Sequence, residues 1–406
     1  MNYTQAIAWL YGTQLHGVKL GLEQIHRLLD ELGVEGGQQR FIHVAGTNGK
    51  GSVCAMLDAI CREQGIRTGL FTSPHLVHFC ERIKLDGRTI SEQEVASGLT
   101  TIQEIVTGWE THPTFFEITT ALALYWFQRV KADIVVLETG LGGRLDSTNV
   151  VTPLVSVLTP IDLDHQAWLG SSLGEIALEK AGIIKPGVPV VSAPQHEEVA
   201  EVFIRSAAEK GAAIQFITEP LENYPINLAG SHQKFNASLA IAALRSAGVR
   251  VSEEAIRKGL DNVIWPGRFQ VIHNQIVLDG AHNEAAAQRL VLTWREVYGE
   301  KRATIILGVL KDKDMTAICR ALMPIASAFI VTHVRSQRSS SPEELQQIIR
   351  ELNASIPCSI AADLTQAIEI AKPGANPVLI TGSLFLVGEA LAFFDEASSK
   401  PEISEQ

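Results

Sequence analysis

The sequence predicts an α/β fold in two domains, each built on a largely parallel sheet covered on both faces. Three observations carry that reading. Short apolar runs alternate with helical patterns almost throughout the chain. A glycine-rich heptapeptide, GTNGKGS at 46–52, sits between one such run and a helical pattern. The alternation breaks at IWPGRFQ (264–270), where Pro266 and Gly267 interrupt it, and then restarts.

In chain order, FIHVA (41–45), TGLFT (68–72), DIVVLE (133–138), LVSVL (154–158) and PVVS (189–192) read as buried parallel strands. After the first of them, Val53, Met56, Leu57 and Ile60 recur at i, i+3, i+4 and i+7, the spacing of one helix face. Asp58, Arg62 and Glu63 occupy the other face, and Gly65 supplies the stop. TEPLENYPINLAG (218–230) reads as an irregular connector. Past the break, QIVLDG, ATIILGV, AFIVTH and PVLITG are the strands of the second unit. These patterns set a first domain over 1–266, a smaller second domain over 267–396 and a flexible tail over 397–406, where SSKPEISEQ reads as solvated.

Composition narrows the function. Hydrophobic residues make up 46% of the 406, enough to fill two cores. Lys and Arg number 34 against 45 Asp and Glu, a formal charge of −11 with no basic cluster. That balance argues against nucleic acid or an anionic membrane as partner. No apolar run approaches the roughly 20 residues needed to cross a bilayer, and MNYTQAIAWLYGTQLHG lacks the features of a secretory leader, so a cytoplasmic protein is expected. Cys54, Cys61, Cys80, Cys319 and Cys358 lack zinc-ligand spacing and read as reduced thiols.

GTNGKGS follows a strand directly and opens a helix, the context in which a glycine-rich loop cradles phosphate. The glycines let the backbone turn tightly so that N–H groups point at phosphate oxygens, and the helix N-terminus adds partial positive charge. Lys50 can reach a terminal phosphate and Ser52 can hold Mg²⁺. The spacing departs from the common phosphate-loop pattern because Gly51 separates Lys50 from Ser52. In open parallel sheets ligands collect beyond the carboxyl ends of the strands. Ser73 in TSPHL, Glu138 in LETGLGGRLDSTN, and Asp162, Asp164 and His165 in TPIDLDHQ all follow predicted strands. Each alone reads equally as a turn or a cap. Together, beside one phosphate loop, they suit Mg²⁺ bridging a nucleotide to a second substrate. Lys180, by its spacing alone, reads as a solvated surface lysine.

HVAGTNGKGS, FTSPHL, FFEITT, ETGLGGRLDSTN, LDHQAWLG, EKAGIIKPG, HQKFNAS, WPGR, LDGAHN, LKDKD and ITGSLF, running in order from about residue 10 to residue 390, resemble segments of folylpolyglutamate synthase. Many bacterial members of that family are also dihydrofolate synthases, and the family belongs to the Mur-ligase-like amide ligases. The resemblance implies a phosphate-loop, Mur-ligase-like central domain with a second, smaller Rossmann-like α/β domain. It implies ATP-dependent addition of L-glutamate to tetrahydrofolate and dihydropteroate by way of an acyl phosphate, with two Mg²⁺ ions and a monomeric enzyme. Carried over residue by residue, it implies that Gly49, Lys50, Gly51 and Ser52 hold ATP phosphates, and that Asn236, Arg268 and Asp279 complete the nucleotide contacts. It places Ser52, Ser73, Glu138 and His165 at the metal ions, Lys180 as a carbamylated lysine, and His282 beside phosphate or substrate. Phe116, Glu117 and Leu145, Asp146 and Ser147 match segments that line the pterin site.

Two departures accompany the match. The connector before HQKFNAS is shorter than in several members, and LHGVKLGLEQ, which resembles the loop that accepts dihydropteroate, has Lys19 where some carry an acid. An acyl phosphate is hydrolysable, so the second domain is expected to close over the phosphates with Arg268 near the pivot. Arg82, Arg144, Lys311 and Lys313 are candidates for local positive charge. Two other readings compete: a Mur-type ligase acting on a UDP-sugar-linked acceptor, and a nucleotide-binding switch that ligates nothing.

Overall fold

The structure, a computed structural model, describes residues 1–16, 21–34, 39–273, 275–371, 376–395 and 401–402. Two mixed sheets organise the chain. The first contains β1 (Phe41–Ala45), β2 (Thr68–Phe71), β3 (Ile83–Leu85), β4 (Arg88–Thr89), β5 (Ile134–Glu138), β6 (Val155–Leu158), β7 (Val190–Ser192) and β8 (Ile214–Phe216), in the order β4-β3-β2-β5-β1-β6-β7-β8. Its centre is parallel, and only β3 runs against the rest, pairing antiparallel with both β2 and β4. The second contains β9 (Gln270–Ile272), β10 (Ile276–Leu278), β11 (Ala303–Leu307), β12 (Ala326–Thr332), β13 (Cys358–Ala361) and β14 (Val378–Thr381), in the order β13-β12-β11-β14-β10-β9, antiparallel only at β9.

Period-2 alternation in the first sheet feeds two cores. Ile42, Val44, Ile134 and Val136 face one cluster with Val53, Met56, Leu57 and Ile60, while Phe41, Val135 and Leu137 face another on the opposite side. The helix Lys50–Glu63 is buried from Gly51 to Cys61, all round. The polar face marked by Asp58, Arg62 and Glu63 is exposed only at its end: His232–Ser246 and Glu253–Asn262 lie on that helix, and Asp58 is buried with a 2.9 Å bond from Arg62. Gly259 lies so close to Ile60 that a Cβ would come within 2.6 Å of the Ile60 Cα.

The tail expected over 397–406 lies outside the described residues except for Pro401 and Glu402. Those two are not a solvated end. Glu402 N donates to Val77 O (2.8 Å), and its carboxylate accepts from Tyr3 Oη (2.9 Å) and Phe79 N (2.6 Å). Among the described residues no helix is long and apolar enough to cross a membrane.

Candidate active site

The phosphate loop leaves β1 in mid-sheet, between β5 and β6. Gly46 permits it, since a Cβ there would meet the Thr159 side chain. Gly49, at φ 87°, caps the helix in the left-handed region that favours glycine. Val53 N is the first helical amide to bond back, to Gly49 O (3.0 Å), so the amides before it are the helix's own anion-binding donors. Gly51 lies beneath Trp265, whose ring a Cβ would meet at 2.7 Å. The extra glycine thus makes room for the aromatic of the linker. Lys50 Nζ curls onto Gly46 O (3.1 Å), and Asn236 lies against Gly49 while donating to Gln233 Oε1 (2.8 Å).

Glu138, ending β5, is buried and accepts from Ser73 N at 3.2 Å. Burial raises its pKa, with Lys50, the Ser73 amide and Arg268 pulling the other way. Ser73 Oγ is buried without a hydrogen-bond partner. A hydroxyl oxygen with no donor to satisfy it, next to a desolvated carboxylate, is what a hard divalent cation would complete, so these residues fit the ions. His165, at φ 53°, precedes the short helix Gln166–Leu169 that follows β6, and lines the cleft. Desolvation lowers its pKa, with Asp164 opposing, so the ring is neutral and able to ligate.

Lys180 overturns its solvated reading. It is 5% exposed, its Nζ donates to Gly46 O at 2.9 Å, and burial together with Lys50 lowers its pKa to about 7. An amine in that state is substantially unprotonated at neutral pH and available to CO₂.

The second domain supplies the opposite wall. Asp279 accepts from Phe269 N and Ala281 N, both at 2.9 Å, and so fixes the linker turn that presents Arg268. His282 Nδ1 is 2.8 Å from Gly280 O; a carbonyl only accepts, so Nδ1 carries a proton, and Nε2 faces Asp164 at 3.6 Å. Asp164 also accepts from Lys313 Nζ and from Asn283 Nδ2 (3.1 Å). Burial would raise the Asp164 pKa, but His282, His165 and Lys313 hold it well below the usual carboxylate range. Asn283 meanwhile caps the helix Glu284–Tyr298 through its oxygen.

One cleft therefore gathers Gly49, Lys50, Gly51, Ser52, Ser73 and Glu138 with His165 and Lys180. Asn236, Arg268, Asp279 and His282 line the same cleft. The expected pterin residues are set apart from it. Asp146 accepts from Gly140 N (2.9 Å), Leu141 N (2.8 Å) and Thr148, so its carboxylate holds a turn. Glu117 is likewise occupied in a capping box with Thr114 (2.8 Å). Ser147 is buried and Leu145 half-buried. Phe116 packs on Phe71 at 6.0 Å and needs Gly140, where a Cβ would strike its ring. Lys19 lies outside the described residues. Of the cations proposed for the substrates, Lys313 is engaged by Asp164, Arg144 pairs with Glu179 (2.8 Å), Lys311 is exposed and Arg82 is fully buried. Sequence reasoning missed His232, Gln233, Arg289 and Asn283. The first two share a helix face with Asn236 at i−4 and i−3, which was a usable signal; Arg289, in AAAQRLVL, carried none.

A phosphate loop opposed by a second α/β domain, with a buried hydroxyl and carboxylate at the strand ends between them, has the arrangement of an ATP-dependent amide ligase of the Mur type. Residues 267–384 match the family model of the Mur ligase, glutamate ligase domain. The chain is 37% identical over 422 residues to the dihydrofolate synthase/folylpolyglutamate synthase of Bacillus subtilis, covering 95% of this chain and 98% of that one. Its structure is similar to Escherichia coli FolC in complex with DHPP and ADP, with a TM-score of 0.87 and 33% identity over 96% of this chain and 97% of that one. It is also similar to the bifunctional folylpolyglutamate synthase/dihydrofolate synthase of Yersinia pestis complexed with AMPPNP and a Mn ion, with a TM-score of 0.86 and 31% identity over 97% and 98%. The chain belongs to the dihydrofolate synthase/folylpolyglutamate synthase family of ATP-dependent ligases.

Proposed function

We propose that this protein joins L-glutamate to tetrahydrofolates and to dihydropteroate, using ATP to form an acyl phosphate and releasing ADP and phosphate. The observation that carries the reading is the single cleft in which Lys50, Ser73 and Glu138 of the first domain face Arg268 and His282 of the second. A carboxylate does not react with an amine at neutral pH, because its carbon is a poor electrophile and its oxygen a poor leaving group. Phosphorylation by ATP removes both obstacles.

Lys50 and the amides of Gly49, Gly51 and Ser52 hold the β- and γ-phosphates, and phosphoryl transfer then needs mainly in-line positioning. Asn236, Arg268 and Asp279 place the rest of the nucleotide, Asp279 by fixing the turn that carries Arg268. Ser52, Ser73, Glu138 and His165 would hold two Mg²⁺ ions. When bound, the ions neutralise charge on the phosphates and on the incoming carboxylate. Lys180 reacts with CO₂, losing a proton, and becomes an anionic carbamate in the cleft that His165 also lines. Phe116 and the 145–147 turn form the floor of the folate site, Glu117 and Asp146 acting through the backbone they hold. Asp164, gripped by Lys313, Asn283 and His282, keeps the second domain over the phosphates and water away from the acyl phosphate. In this reading 1–266 binds ATP and folate, 267–396 is the glutamate-ligase unit, and the enzyme works as a cytoplasmic monomer without nucleic acid or membrane.

The test is ADP release with ATP, Mg²⁺ and L-glutamate, comparing dihydropteroate with tetrahydrofolate. Release with both establishes the two activities. Release with tetrahydrofolate alone removes dihydropteroate and implicates the Lys19 segment. Silence with both refutes the proposal in favour of a UDP-sugar-linked acceptor or a switch.

A further inference from the structure

The segment 73–79 carries Ser73 and is held from every side. Ser73 N donates to Glu138, while Leu76 N (2.8 Å), Val77 N (2.9 Å) and His78 N (2.7 Å) all donate to the Glu81 carboxylate. Those restraints come from the first domain. Arg82 Nε adds a bond to His75 Nδ1 (2.8 Å), also from the first domain, and further restraints come from the far end of the chain. Leu76 packs into the second domain's own core, with Val387, Leu386 and Ala390. The helix Leu384–Phe394 lies directly on its backbone: a Cβ at Gly388 would stand 2.0 Å from Leu76 O. Beyond that helix, Glu402 takes the two backbone groups that follow. Its N–H donates to Val77 O and its carboxylate accepts the Phe79 N–H at 2.6 Å.

The same carboxylate accepts from Tyr3 Oη at 2.9 and 3.2 Å. Burial, with Cys80 and Glu402 alongside, pushes the Tyr3 hydroxyl well above its ordinary range, so it remains a donor. Hydrogen bonds to an ionised acceptor are about twice as strong as neutral ones. Glu402 therefore joins three things: the C-terminal segment, the first helix, Tyr3–Gly12, and the strand-end segment that begins with Ser73.

We propose that Glu402 is a positioning residue for the ligase reaction: with Gly388 seated on Leu76, it clamps the 73–79 segment to the C-terminal part of the chain and so sets where Ser73 stands for its metal ion. The clamp couples the second domain to the metal site through the backbone, by a route separate from the Asp164 contacts across the cleft. It rests on Ser73 as a metal ligand only in its final step.

The full chain carrying Glu402→Ala tests it with two readouts. Hydrogen exchange of the amides at 76–79 is measured in the metal-free enzyme, and the Mg²⁺ concentration for half-maximal ADP release is measured with substrates. Exchange at Phe79 is expected to quicken by about ten-fold or more, because the acceptor of its N–H is gone. The Mg²⁺ requirement is expected to rise about three- to ten-fold, with kcat at saturating Mg²⁺ within about two-fold. Glu402→Gln, which keeps one acceptor oxygen, falls between. Tyr3→Phe removes a donor to the carboxylate without touching the tail, and shifts both readouts in the same direction should Glu402→Ala fail to fold. Unchanged exchange overturns the clamp. Faster exchange with an unchanged Mg²⁺ requirement overturns the positioning role. A Ser73→Ala control with a normal Mg²⁺ requirement overturns the metal reading and the positioning role with it, leaving the exchange result to judge the clamp alone.

Discussion

Replacing Lys180 by methionine should stabilise this protein while removing the amine proposed to form the carbamate. The amine's pKa is lowered from 10.5 to about 7 because its ammonium form is buried, with Lys50 adding repulsion. At about 1.4 kcal/mol per tenfold change in proton affinity, keeping that proton in the folded state costs about 4 to 5 kcal/mol at pH 6.5. Between pH 7 and 10.5 the unfolded chain binds a proton that the folded chain does not. Stability of the unmodified enzyme therefore rises with pH across that window, and the cost falls to about 1 to 2 kcal/mol at pH 9.5. Methionine has a similar length and no charge, but it gives up the 2.9 Å bond to Gly46 O, a loss of about 1 kcal/mol. The variant should thus be more stable by about 3 to 4 kcal/mol at pH 6.5 and close to neutral at pH 9.5. Urea unfolding in CO₂-free buffer with EDTA reads this directly, since carbamate and metal are then both withheld. A variant no more stable at pH 6.5, or a difference that does not shrink with pH, refutes the argument that an unpaired ammonium is buried here.

Two further outcomes follow from named groups. Lys50→Ala and Glu138→Ala should each lower turnover by at least about 100-fold with the urea midpoint retained; near-normal turnover in either removes that residue from the site. His43, fully buried with Nε2 2.8 Å from Thr148 Oγ1, has its pKa lowered to about 3 by burial and by Lys185. The unfolded chain takes up this proton near pH 6.5 and the folded chain does not, so stability is lost as pH falls through that window. His43→Leu should remove about 3 kcal/mol of the loss between pH 7.5 and 4, and parallel unfolding curves for the two proteins would sink the claim.

The central strands were legible because burial on both faces leaves continuous apolar runs such as FIHVA and DIVVL, bounded by helical patterns. The edges were not. β4 is two exposed residues, β8 and β9 each place a glutamine within three residues, and β13 begins with an exposed-facing CSI. An edge strand pairs on one side only and tolerates polar positions, so its periodicity is diluted below recognition. Asp58 failed for the converse reason. Its charge and spacing marked the polar face of the helix, yet two later helices pack on that helix, and the carboxylate is tolerated in burial because Arg62, one turn on, answers it. Propensity along a segment records what the segment can bury, and says little about what arrives from elsewhere in the chain.

The same distinction divides the site. Residues that act through their own local backbone were readable: GTNGKGS announces a phosphate cradle because glycine, helix start and lysine are adjacent in sequence. Lys180 was not, because its meaning lies in being buried against Gly46, which is 134 positions away. Asp146 and Glu117 mark a second limit. Matching a motif put them near the folate segments, but each carboxylate is already taken by backbone amides, and their role is to shape the turn and helix on which Phe116 and Gly140 meet. Asp164 makes the point most sharply. In sequence it is one acid among several after β6. In the fold it draws Lys313 and the adjacent His282 and Asn283 from two places in the second domain onto one carboxylate. A protein of formal charge −11 can bind polyanions only if cations are gathered locally. Here Lys50 and Lys180 of the first domain and Arg268 and Arg289 of the second line one cleft, while the buried Asp164 ties the second domain to its rim through Lys313 and Asn283.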